Sequence, residues 1–186
     1  MTVHPLSRIA HDPGAFEAFY REHVDAVLRF TTRRVPDPHL AADLTADVFL
    51  AIIDAAPSYR SDRGEPRAWL FGIARNVVNA ELRRTARETR ALRRVHGQRL
   101  LDEDDVQRLQ ERIDASREAR ALFEAMQQLS DGERAVLELV ALDDLSVTEA
   151  AAALGLRAVT ARVRLHRARA TLRDALPNLV LTEATS

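Results

Sequence analysis

The stretch S146-V-T-E-A-A-A-A-L-G-L-R-A-V-T-A-R-V-R-L-H-R-A-R169 decides the fold. Ser146 and Glu149 have the spacing of a capping box, in which each side chain satisfies a backbone N–H at a helix start. A helix is therefore expected from about residue 147, stopped by Gly155, and a second from about Ala158 to Ala175. A short helix, a tight turn with glycine and a longer basic helix make a helix-turn-helix. Its expected core positions are Ala150, Ala151, Leu154, Val159, Val163 and Leu172.

Upstream of this unit the helix signals continue. Ser130 and Glu133 form a second capping box, starting a helix at about 131, and Leu122, Phe123, Met126 and Leu129 make an apolar face ending near Ser130. Asp12-Pro13 and Asp37-Pro38 each put an acceptor before a proline whose missing N–H costs nothing at a helix start. The first helix should reach about Arg34, burying Phe16, Phe19, Tyr20, Val24, Val27, Leu28 and Thr31. The second should reach about Ala55, with Leu40, Leu44, Val48, Ala51 and Ile52 at helical spacing. Residues 56–65 are turn-rich, and Pro66 opens a third, longer helix. No segment alternates with period two, so the expected fold class is all-α. Residues 95–110, with the acids at 102–105, read as a linker or frayed helix end.

Composition narrows the function classes. The chain has 186 residues, 46% hydrophobic and 30% charged, and no cysteine, which rules out disulfides, thiolate metal sites and a cysteine nucleophile. The six histidines are scattered without HExxH spacing, and the acid runs lack the glycine of a calcium loop, so no metal or cofactor is expected. With no phosphate cradle and no nucleophile elbow, nothing supports an enzyme or a small-molecule substrate. No apolar run is long enough to cross a bilayer, and the expected location is the cytoplasm.

The net charge of −1 conceals strong segregation. All 27 basic residues are arginine, so any anion contact uses the planar guanidinium. Residues 83–99 carry seven arginines against Glu88, and residues 155–173 carry six against no acid. Residues 11–58, 101–118 and 131–154 are net acidic. Two basic segments separated by acidic ones suit two contacts with a polyanion.

The second basic segment is the longer helix of the helix-turn-helix, which enters the major groove N-terminal end first. At about 100° per residue, Thr160, Arg164 and Arg167 share a stripe with Arg162 and His166 beside it. Arginine pairs bidentately with guanine, and the remaining groups suit phosphates. On the third helix, Leu70, Phe71, Ile73, Ala74, Val77 and Val78 gather on one side, and Trp69, Gly72, Asn76, Asn79, Ala80 and Arg83 on the other. An aromatic ring among amides and guanidinium groups is a platform for unpaired bases, and an amide can read an extruded base edge. The loop Ser58–Gly64, with Tyr59 and Arg60, could wall such a pocket, and Arg75 adjoins it.

These residues resemble the bacterial RNA polymerase sigma factors of the extracytoplasmic-function group. The resemblance rests on R67-A-W-L-F-G-I-A-R-N76, A41-A-D-L-T-A-D-V-F49 and L154-G-L-R-A-V-T-A-R-V-R-L-H-R-A-R169. It implies two helical domains, region 2 over 13–94 and region 4 over 118–176, joined by a linker over 95–117. It implies core RNA polymerase, promoter DNA and an anti-sigma factor as partners, with no active site in the chain itself. Asp43, Leu44, Asp47 and Phe49 match the core-polymerase docking helix. Trp69 matches the tryptophan at the upstream edge of the melted −10 element, and Asn76 the asparagine that holds a flipped −10 base. Thr160, Arg162, Arg164, His166 and Arg167 match the helix that reads the −35 element. Ala42 and Ala46 stand where the family often has Glu and Gln, and Val159 where it usually has Gly. Two alternatives remain open from the residues: a free-standing helix-turn-helix regulator, which leaves Trp69 without a task, and an adaptor that binds a partner without starting transcription.

Overall fold

Asp12 caps α1 (Pro13–Thr32), its Oδ1 accepting from the backbone N–H groups of Gly14 and Ala15 at 3.0 and 3.1 Å. Asp37 does the same for α2 (Pro38–Ala55), accepting from His39 N–H at 2.9 Å. The expected turn region holds two short 3₁₀ turns, Ala56–Ser58 and Ser61–Arg63, before α3 (Pro66–His96). Then come α4 (Arg117–Gln128), α5 (Asp131–Ala141), α6 (Val147–Ala153) and α7 (Ala158–Ala175). Both capping boxes form, at Ser130/Glu133 and Ser146/Glu149. Gly155, with φ +64°, takes the left-handed step that ends α6 and aims α7. This computed structural model describes residues 5–96 and 117–175, and every regular element among them is helical. The acid run at 102–105 and the tail beyond 175 lie outside the described residues.

Helices α1, α2 and α3 pack around Val27, Phe30, Val48, Ile52, Leu70, Phe71 and Val78. Phe30 meets Phe71 edge-on with centroids 5.4 Å apart. The α1 seam is rotated from the expected one: Phe30 is fully buried, while Tyr20 and Leu28 are each 40% exposed. Tyr20 lies at the rim, its ring 4.7 Å from that of Phe49. The buried hydroxyls of Thr31 and Thr45 meet at 2.9 Å, within reach of the Leu28 and Ala41 carbonyls. One hydroxyl donates to the other, which donates to its own helix carbonyl, so neither is left unsatisfied.

Helices α5, α6 and α7 close around Val136, Leu139, Ala150, Ala151, Ala161, Leu165, Ala168 and Leu172. Here two expectations are corrected. Val159 and Val163 are 66% and 45% exposed, and the α7 seam runs instead through Ala161, Leu165, Ala168 and Leu172. Their 4-3-4 spacing is one helical stripe, and the small alanines let α7 approach its neighbours closely. On α4 the buried position is Ala125, with Leu129 buried just past the helix end and Leu122 and Phe123 exposed. In both helices an alanine displaces larger apolar residues from the interior.

The two helix groups also pack on each other. The α3 helix lies against α6, where a Cβ on Gly72 would stand 3.3 Å from the Ala153 carbonyl oxygen. Only glycine permits that approach without displacing backbone.

Candidate nucleic-acid interface

With Ala161 and Leu165 turned inward, the outer surface of α7 carries Val159, Arg162, Val163, His166 and Arg167, all exposed. Thr160 and Arg164 sit on the flank and are half-buried. Arg164 turns back toward α5, its guanidinium so close to Gly132 that a Cβ there would meet it at 2.7 Å. The expected stripe is therefore divided. Arg162, His166 and Arg167 face outward, and Arg164 helps to seat the helix. Arg164 and Arg167 both lie near Glu133, whose carboxyl is held below its ordinary range chiefly by its hydrogen bond from Ser130.

On α3 the expected polar side also divides. Trp69 is half-buried and packs edge-to-face on Tyr59, centroids 5.2 Å apart. Tyr59 is itself buried and donates its hydroxyl to the Gly64 carbonyl at 2.9 Å. It braces the indole from behind. Burial pushes its phenol pKa up, so it remains a neutral donor. Arg60 is exposed and paired with Asp62 at 2.7 Å. Asn76 and Arg83, on the Trp69 side of the helix, are exposed. Arg75 and Asn79 point elsewhere, lining a cleft of about 360 Å³ against Asp131, Arg134 and Glu138 of α5.

Asp43 and Asp47 are exposed along α2, with Ala42, Ala46 and Leu50 on the same outer surface. Leu44 and Phe49 are each only 3% exposed. They pack inward, the Phe49 ring against those of Phe16 and Tyr20, and so shape the helix rather than offer a contact surface. Leu50, 60% exposed, is the large apolar side chain that sequence reasoning missed there.

A second unanticipated feature joins the two helix groups. Asp143, in the loop after α5, has a side chain 1% exposed and accepts from Arg33 Nη1 at 3.1 Å and Arg34 Nη2 at 2.9 Å. Arg33 Nη1 also donates to the Leu142 carbonyl, and Arg34 Nη2 to Glu138 at 3.3 Å. Arg67 closes the ring, donating to the Asp143 and Asp144 carbonyls at 2.8 Å each. Asp144 has φ +54°, a left-handed conformation that aspartate tolerates better than most residues. Three arginines, two just past the end of α1 and one in α3, thus grip one loop 76 and more residues away in sequence.

Family models match this architecture piece by piece: Sigma-70 region 2 over residues 19–88 and Sigma-70, region 4, over residues 119–172. The SigL ECF RNA polymerase sigma factor of Mycobacterium tuberculosis is 30% identical over 174 residues, covering 93% of this chain and 95% of SigL. The chain belongs to the ECF RNA polymerase sigma factors. The sigma-E factor of Streptomyces antibioticus is 35% identical over 167 residues, covering 87% of this sigma factor and 84% of that protein. Among solved structures, CnrH in complex with the cytosolic domain of CnrY superposes with TM-score 0.62 at 25% identity, over 93% of this chain and 95% of CnrH. RpoE in complex with the anti-sigma factor NepR from Bartonella quintana shares the fold, with TM-score 0.60 at 22% identity, over 88% and 97% of the two chains. As a sigma factor, the protein binds core RNA polymerase and directs it to promoter DNA, region 4 carrying the helix-turn-helix. Among the described residues no helix is long and apolar enough to cross a membrane.

Proposed function

We propose that residues 13–94 and 118–176 work as two DNA-reading modules, linked through 95–117, with every chemical step left to the polymerase. In this reading the chain acts in the cytoplasm and holds no active site. In region 2, Trp69, Asn76 and Arg83 receive the melted −10 strand, with Arg60 at the loop edge and Tyr59 bracing the indole. Unstacking a base costs a few kcal/mol, and stacking returns about 1–3 kcal/mol per base. The balance is close enough for promoter sequence to decide whether melting proceeds. In region 4, Arg162, His166 and Arg167 face the −35 major groove, with Thr160 on the flank suited to phosphate. Asp43, Asp47 and Leu50 offer the polymerase contact, supported from inside by Leu44 and Phe49.

The observation that carries this reading is the placement of exposed Asn76 on the side of α3 that holds the Tyr59-braced Trp69. Arg75 and Asn79 join the −10 surface only when α5 moves away from them. That separation is also required by length. Elements roughly 25 base pairs apart span about 85 Å at about 3.4 Å per base pair, whereas α3 and α6 are in direct contact. An anti-sigma partner belongs to the same reading, supported by CnrH and RpoE, each solved with a protein bound.

The test is to mix the chain with core RNA polymerase, follow co-elution on a sizing column, and run transcription on a promoter library. Co-elution with initiation at defined sites is expected. Tight DNA binding by the chain alone, without co-elution, would favour a free-standing regulator instead.

A further inference from the structure

The exposure of Val159 and Val163 points to a base-reading role, which rests on the −35 reading of α7 given above. Among the described residues both side chains are left exposed, Val159 at 66% and Val163 at 45%, and both lie in the first two turns of the helix. Scattered exposed valines need no explanation, but these two have a specific setting. They stand four residues apart on the outward surface, beside exposed Arg162, His166 and Arg167. The N-terminal turns of such a helix are the part that reaches base edges in the major groove. The apolar group available there is the C5-methyl of thymine.

We infer that Val159 and Val163 each pack on a thymine methyl of the −35 element and help set its sequence. Four residues advance a helix about 6 Å, and two base-pair steps advance the duplex about 6.8 Å. Because the helix is inclined to the duplex axis, the two methyls are at most about two base pairs apart. The arginines beside them cannot contribute this discrimination, because guanidinium groups select guanine acceptors. A −35 element read by this helix combines guanine with thymine.

The test uses the holoenzyme and the −35 sequence it selects from a promoter library. Each thymine of that sequence, on either strand, is replaced in turn by deoxyuridine, which lacks only the C5-methyl, and binding is measured by fluorescence anisotropy. Loss of one buried methyl predicts about a fourfold weakening at two positions no more than about two steps apart. Val163→Ala is expected to bind the thymine promoter correspondingly less well and to ignore deoxyuridine at one of those positions. Val159→Ala is expected to ignore it at the other. Both positions are solvent-exposed, so folding is unaffected, which circular dichroism checks. A holoenzyme that selects a −35 sequence yet binds every deoxyuridine promoter within twofold of the original overturns the inference alone. So does a selected element without thymine on either strand, or a valine variant that loses polymerase and not DNA. A holoenzyme that initiates but selects no duplex element at all overturns the −35 reading together with it.

Discussion

Arg34 Nη2 and Asp143 Oδ2 lie 2.9 Å apart, although 109 residues separate them in the chain. The arginine lies two residues past the end of α1 and the aspartate in the loop after α5, so this contact joins region 2 to region 4. Arg34 is held in place for it, its Cζ 3.5 Å over the Phe30 ring and its Nη1 donating to the Phe30 carbonyl at 3.0 Å. A charge-assisted hydrogen bond is worth about 1.5–3 kcal/mol. Asp143→Asn removes the charge and keeps the shape. Small-angle scattering should then show a larger radius of gyration with unchanged helicity. An unaltered radius would mean that the clasp does not hold the two regions together.

The close approach of α3 and α6 allows a sharper check. Gly72→Leu sets a branched side chain against the Ala153 backbone, which a Cβ alone would already crowd at 3.3 Å. The variant should part α3 from α6, read by small-angle scattering as a larger radius of gyration with helicity unchanged. A radius equal to that of the unaltered protein would show that this contact does not hold the two regions together.

Asn76 is exposed, so Asn76→Ala should change stability by no more than about 0.5 kcal/mol. Initiation from a duplex promoter should fall, while a promoter premelted at −10 loses less and polymerase co-elution is unchanged. Equal loss of initiation and polymerase binding would remove the base-holding role.

Phe49 and Leu50 are neighbours with opposite tasks. Phe49→Ala, in the core, should destabilise region 2 by about 3–5 kcal/mol, seen as a lower thermal midpoint. Leu50→Ser should leave that midpoint in place and weaken polymerase co-elution. A fully polymerase-competent Leu50→Ser would move the docking surface elsewhere on the molecule.

His23 sets a pH dependence. Burial beside Phe19, at 4.4 Å between centroids, holds its pKa below the ordinary 6.5, aided by Arg67 and opposed by Glu22. Glu65 and Glu149 line the same groove. The unfolded chain therefore takes up a proton that the folded chain refuses, so stability is full above about pH 6.5 and falls as pH drops below it. His23→Gln should flatten that part of the thermal-midpoint curve; an unchanged slope would assign it to other groups.

Helix positions and ends were legible because caps and glycine stops act within three or four residues. Asp12, Asp37, Ser130, Ser146 and Gly155 each do locally what their spacing announced. The motifs around Trp69, Asn76 and the basic helix were legible for the same reason, and with them the family. Which side of a helix turns inward was less so. Val163 outranks Ala161 on any hydrophobic scale, yet Ala161 is buried because α7 must approach its neighbours closely. Phe49 went inward, and Leu50 outward, by the same tertiary decision. The grip of Arg33, Arg34 and Arg67 on the Asp143 loop had no local signature at all. Charge counts place acids and arginines in the chain, but only folding brings together groups a hundred residues apart and removes the water that would otherwise screen them.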